Sequence, residues 1–144
     1  MEDLSPLIKE LVAQGGSVEL TVTGSSMEPM LHHGESRVRL TRAKELKRGD
    51  LALYRRENGQ YVLHRIIDKD LLGYVCCGDA QSVPEDIHSF QVLAMVEQFT
   101  RRDCWVDCGS RLYHAYWKTW LLLRPARRIV LGGIHRLQKL RRAI

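Results

Sequence analysis

Hydrophobic and polar positions change period several times along the chain, and each change marks an element. Leu4, Leu7, Leu11 and Val12 recur at helical spacing, which predicts a short helix over residues 3–13, capped at Ser5 and ended by Gly15-Gly16. Residues 17–23 then alternate, with Val18, Leu20 and Val22 on one side and Glu19 and Thr21 on the other, the pattern of a half-buried strand. Residues 24–29 read as a tight turn leading into one helical turn. Further short strands are predicted over residues 37–40, 51–55, 61–67, 74–77 and 92–99, with turns at Glu57-Asn58-Gly59 and at Asp70-Leu71-Leu72-Gly73. Residues 78–89 are polar and read as a loop. Helical spacing returns with Leu112, Tyr113, Tyr116, Trp117, Trp120 and Leu121. Pro125 interrupts it, and Ile129, Val130, Ile134, Leu137 and Leu140 resume it around Gly132-Gly133.

Many short strands with regular turns predict a mainly β fold, either a barrel or a coiled sheet, with one short N-terminal helix and two amphipathic C-terminal helices. The 144 residues, 44% of them hydrophobic, suffice for one buried core. Charge divides the chain into a body, residues 1–110, and a tail, residues 111–144. The tail carries nine of the 22 Lys and Arg and none of the 17 acidic residues. Such a tail fits an anionic membrane surface, with Trp117 and Trp120 at the lipid interface and Lys118, Arg124, Arg127 and Arg128 toward headgroups. The same tryptophans would equally serve as a cover for the β body, and the pattern leaves both readings open. Nucleic acid is not the expected partner. No secretory leader is visible, and no apolar run approaches the roughly 18 residues that cross a bilayer. The expectation is a cytoplasmic protein, peripheral at a membrane if the tail binds one. Cys76, Cys77, Cys104 and Cys108 lack the spacing of a zinc site, and the adjacent His32 and His33 have no second pair. No metal or cofactor is expected.

Ser26 stands out by its setting. A strand delivers it, Gly24 permits a tight turn before it, and Pro29 fixes the chain after it. A turn of this kind exposes a hydroxyl and aims backbone N–H groups at a developing oxyanion. A serine is a weak nucleophile until a base takes its proton, so a partner is required. In the strand 61–67, Val62, His64 and Ile66 share one face, which lets His64 point into a cleft while Arg65 points away.

These segments resemble the boxes of type I signal peptidases. Thr23-Gly24-Ser25-Ser26-Met27-Glu28-Pro29-Met30-Leu31 is similar to the nucleophile box, in which the serine before the methionine attacks, and Gly34-Glu35 to the pair that closes it. Lys47-Arg48-Gly49-Asp50-Leu51-Ala52-Leu53-Tyr54 resembles the next box, Val62-Leu63-His64-Arg65-Ile66-Ile67 the box of the general base, and Gly78-Asp79 the late Gly-Asp box. The four lie in the family's order over residues 18–98. A histidine followed by arginine, where most bacterial members carry lysine, resembles the endoplasmic-reticulum, archaeal and sporulation-type branch.

The resemblance implies a serine endopeptidase acting through a Ser26–His64 pair and an acyl-enzyme. It implies an aspartate from the late box that orients His64, Asp86 first and Asp79 second. Gly24 replaces the serine that some relatives use as an oxyanion donor, so Gly24 and Ser25 shape the turn and the backbone supplies the donor. The implied substrate is an extended, leader- or signal-like peptide laid along a strand edge, with small residues at the scissile bond. A histidine base with an ordinary pKa of about 6.5 implies activity that rises through roughly pH 6–7. Two departures stand out: the family's transmembrane helix before the serine box is replaced by a short amphipathic helix, and Ala80-Gln81 replace the asparagines that follow the late Gly-Asp. The competing expectations are a catalytically silent peptide-binding module on the same fold, and a regulator related to the SOS repressors.

Overall fold

The alternating segments form eight strands, and the computed structural model describes residues 5–123 and 136–141. In chain order the elements are α1 (Ser5–Ala13), β1 (Val18–Thr21), β2 (Arg37–Thr41), β3 (Leu51–Arg55), β4 (Tyr61–Lys69), β5 (Gly73–Cys77), β6 (Glu85–His88), β7 (Val92–Arg101), β8 (Cys104–Asp107) and α2 (Arg111–Leu122). A short 3₁₀ turn, Ser89–Gln91, links β6 to β7.

The strands make one antiparallel sheet in the order β1-β2-β7-β3-β4-β5-β6, and β8 pairs with the far end of β7. The fold is therefore mainly β, and the ladder ends at β1 on one side and β6 on the other. Register shifts interrupt it at Arg39/Leu40, Leu53/Tyr54 and Ile66/Asp68. Bulges of this kind increase local twist and bend the strand. The sheet curls far enough for the segment after β1 to bond to the segment after β5, where the Ala80 N–H donates to the Ser26 carbonyl at 2.9 Å.

Both faces of the sheet are covered. On one, Ile8 and Val12 of α1 and Met27, Met30 and Leu31 of the turn after β1 pack on Val38, Leu40, Leu51, Leu53, Val96 and Phe99. The other holds Leu46, Ala52, Tyr54, Val62, Ile66, Cys76 and Ile87. The first face also receives α2, through Tyr113.

Three expectations need correction. The buried stripe of α1 is Ile8 and Val12, while Leu7 and Leu11 are largely exposed. Residues 78–89, read as a loop, contain β6. An eighth strand, β8, follows a tight turn whose Arg102 and Asp103 both take positive φ, 51° and 62°, a hairpin backbone with no Gly to announce it. The helix expected after Pro125 falls mostly on residues outside those described, although residues 136–141 are helical. Among the described residues no helix is long and apolar enough to cross a membrane.

Candidate active site

The turn that carries Ser26 is held by its neighbours. Met27, Met30 and Leu31 are buried and plug the core, and the Met27 carbonyl accepts from the Leu31 N–H at 3.0 Å, which closes one helical turn. Gly24 sits at φ +81° and donates its N–H to Nδ1 of His33 at 2.7 Å. A side chain at Gly24 would be strained by that backbone. His33 thus tethers the turn. Ser25 is exposed and Ser26 half-buried. The Ser26 N–H donates to no backbone carbonyl among the described residues.

The late Gly-Asp segment braces Ser26 from behind. A Cβ on Gly78 would lie 2.5 Å from the Ser26 carbonyl oxygen and 3.1 Å from its Cβ. Only glycine permits that approach.

His64 arrives from β4. Alternation puts it on the face of Val62 and Ile66, and it is 2% exposed. Ser26 and His64, 38 positions apart in sequence, line the same cleft of about 310 Å³. Thr23, Gly24, Arg56, Gln60, Tyr61 and Gln81 complete most of its wall. A larger cavity of about 500 Å³ lies by the β7–β8 turn, lined by Met30, His32, Glu35 and Arg101 among others. It contains neither Ser26 nor His64.

The acid beside His64 is Glu85, which corrects both expected aspartates. Glu85 Oε1 lies 3.5 Å from His64 Nδ1. Cys76 pairs with Ile66 on one side and Glu85 on the other, so Glu85 falls on the histidine's face. Asp86, one residue on, turns outward and is exposed. Asp79 is fully buried but is taken by Arg65, at 2.8 Å to Nε and 2.9 Å to Nη2. Arg65 does point away from the cleft, yet it is also fully buried. Its Nη1 donates to the Gly49 carbonyl at 2.8 Å and the Tyr113 hydroxyl at 2.9 Å. The Asp79 carbonyl accepts from the indole N–H of Trp120 at 2.8 Å. The Arg65–Asp79 pair thus locks β4, the brace behind Ser26 and α2 together.

Two further residues complete the His64 surroundings and were not foreseen. The Tyr54 hydroxyl lies 3.1 Å from His64 Nδ1 and hydrogen-bonds Glu85 Oε1. Arg56 grips the same carboxylate, Nε to Oε2 at 3.0 Å and Nη2 to Oε1 at 2.8 Å. Burial would raise the Glu85 pKa, but the Arg56 and Tyr54 hydrogen bonds outweigh it and hold the carboxyl below its ordinary value. Burial pushes His64 down to about 4, with Glu85 pulling upward and Arg56 pushing further down. His64 therefore stays neutral well below the pH 6–7 expected for an unperturbed imidazole.

The tail reading also changes. Trp120 is 5% exposed and bonded to the core, and a Cβ on Gly49 would strike the Trp117 ring at 2.4 Å. Both tryptophans pack on the β body, Trp120 buried and Trp117 half-buried. Lys118 belongs to the same helix, whereas Arg124, Arg127 and Arg128 lie outside the described residues. Among the described residues no cluster of three His, Cys, Asp or Glu is placed to hold a metal. No protein-family model matches the chain, and no curated protein matches it.

Proposed function

We propose that the protein is a serine endopeptidase of the signal-peptidase type, with a coiled sheet like theirs, cutting an extended peptide through an acyl-enzyme on Ser26. The observation that carries this reading is the shared cleft: a serine on a braced turn and a buried neutral histidine backed by an ionised carboxylate. The Ser26 hydroxyl attacks the scissile carbonyl while His64 takes its proton. The imidazolium that forms is stabilised by Glu85, and it returns the proton to the leaving amine. The Ser26 N–H serves the oxyanion. Water then hydrolyses the ester, with His64 again as base. No step calls for a metal or cofactor.

The peptide has a strand edge to pair with. β5 pairs with β4 only from Arg65 onward, and β3 occupies the other edge. Residues 62–64 therefore have one edge outside the strand pairing among the described residues, and they line the same cleft as residues 22–27. An added strand gains affinity from backbone pairing and specificity from alternate side chains. The substrate is thus a peptide or protein segment in extended form.

The test is cleavage of a diverse peptide library by purified wild-type and Ser26→Ala protein, read by mass spectrometry of new termini. Cuts confined to the wild type support the endopeptidase. Identical profiles would leave a silent peptide-binding module on the same scaffold.

A further inference from the structure

A serine–histidine pair works only if the histidine presents a lone pair, not a proton, to the serine. Which ring nitrogen carries the proton is set by what the other nitrogen meets. In this cleft Nδ1 meets a phenol. Antiparallel pairing of β3 with β4 sets Ala52 opposite His64 and Tyr54 opposite Val62. Ala52 is small, so the Tyr54 ring leans diagonally over the gap and meets the imidazole edge-on, with centroids 6.1 Å apart and planes at 72°. Its hydroxyl then stands between Nδ1 and Glu85.

Proton counting leaves one arrangement. The Glu85 carboxylate is ionised under the double grip of Arg56 and can only accept. Burial and the Glu85 charge push the phenol well above its ordinary pKa, so Tyr54 keeps its single proton. If that proton pointed to Nδ1, the phenol oxygen would face a carboxylate oxygen at hydrogen-bond distance with no hydrogen between them. The proton therefore lies toward Glu85, and the phenol oxygen offers only lone pairs to Nδ1. Nδ1 must carry the imidazole hydrogen, which leaves Nε2 unprotonated. The direct Glu85–Nδ1 separation of 3.5 Å exceeds an ordinary hydrogen bond, so the carboxylate acts on the ring through the phenol.

We propose that Tyr54 is a positioning residue whose hydroxyl, bridged between Glu85 and Nδ1, holds His64 as the Nδ1–H tautomer and so turns Nε2 into the base for Ser26. The proposal rests on the reading of Ser26 and His64 as the reacting pair. As that pair reacts, the new imidazolium keeps its Nδ1–H bond to Tyr54, and the phenol passes on the field of Glu85. Tyr54 meets the ring directly, and the charges that act on it are Glu85, Arg56 and, from the far side of β4, Asp79.

Long-range proton–nitrogen NMR of histidine-labelled protein at pH 7 tests this, with His64→Gln assigning the resonance among the six histidines. The wild type should show a protonated Nδ1 and an unprotonated Nε2. Tyr54→Phe should shift His64 toward the Nε2–H form. It should also slow acylation of Ser26 by a fluorophosphonate by about 10–100-fold, short of the ~10⁴-fold loss known when a triad acid is neutralised. Peptide KM should stay unchanged. A wild-type His64 protonated on Nε2 overturns the proposal, and needs no variant to fold. So does a Tyr54→Phe protein with unchanged tautomer and rate. Wild-type protein that shows the Nδ1–H form yet resists the fluorophosphonate sinks the peptidase reading while upholding the tautomer assignment, so the two failures are distinct.

Discussion

Replacing Asp79 by Asn strands the Arg65 guanidinium in the core. Both side chains are 0% exposed, and the pair is bidentate. The asparagine is nearly isosteric, so the loss is of charge, not of volume. Removing one partner of a buried ion pair costs about 3–5 kcal/mol, because the remaining charge has neither water nor a counter-ion. That is a large share of the roughly 5–15 kcal/mol that holds an ordinary domain together. With a urea m-value of about 2 kcal/mol per molar, the midpoint should fall by about 2 M. Circular dichroism against urea measures it. A second arm separates pairing from packing. Arg65→Met leaves Asp79 with a long Tyr116 hydroxyl contact of 3.4 Å, whereas the Gly49 carbonyl keeps the Tyr113 hydroxyl at 3.1 Å. Arg65→Met combined with Asp79→Leu should therefore cost much less than the two single changes together. A loss below about 1 kcal/mol for Asp79→Asn, or additive singles, would refute a buried ion pair as the lock.

Gly78→Ala should abolish Ser26 acylation at a stability cost of about 1–3 kcal/mol, since the new methyl overlaps the Ser26 carbonyl; labelling and urea melts on one sample check both. With His64 lowered to about 4, acylation should hold its plateau down to about pH 5 and fall only as the ring protonates below that; a midpoint near 6.5 would contradict the burial of the imidazole. A chain ending at residue 123 should stay folded, whereas one ending at residue 110 loses Tyr113 and Trp120 and should unfold. If residues 124–144 hold anionic vesicles at about 1 kcal/mol per well-placed basic residue, co-sedimentation will be lost in the chain ending at 123 and weakened by salt in the full chain; equal binding by the two would place the contact elsewhere.

Six of the eight strands were legible because their patterns are local signals, and the serine turn because Gly24, Ser26 and Pro29 lie within six residues. What stayed hidden depends on cross-strand register. Glu85 and Asp86 are chemically interchangeable as orienting acids; parity chooses between them. Ile87 faces the second core cluster, so Glu85, two residues earlier, shares its face and Asp86 does not. Reading residues 78–89 as a loop removed that parity from view. Tyr54 was hidden for a similar reason, since its reach to His64 depends on Ala52 being the small residue opposite. Arg65 shows the limit of alternation, which separates two faces but does not say that the second will be buried by a helix arriving from residue 111.

The most direct measurement of the central claim is intact-mass and peptide-level detection of a fluorophosphonate adduct on the native full chain. One adduct is expected, on Ser26 and not on the exposed Ser25, absent from Ser26→Ala and strongly slowed in His64→Ala. An unlabelled wild type, an adduct on another serine, or a His64→Ala protein that reacts at the wild-type rate would contradict it.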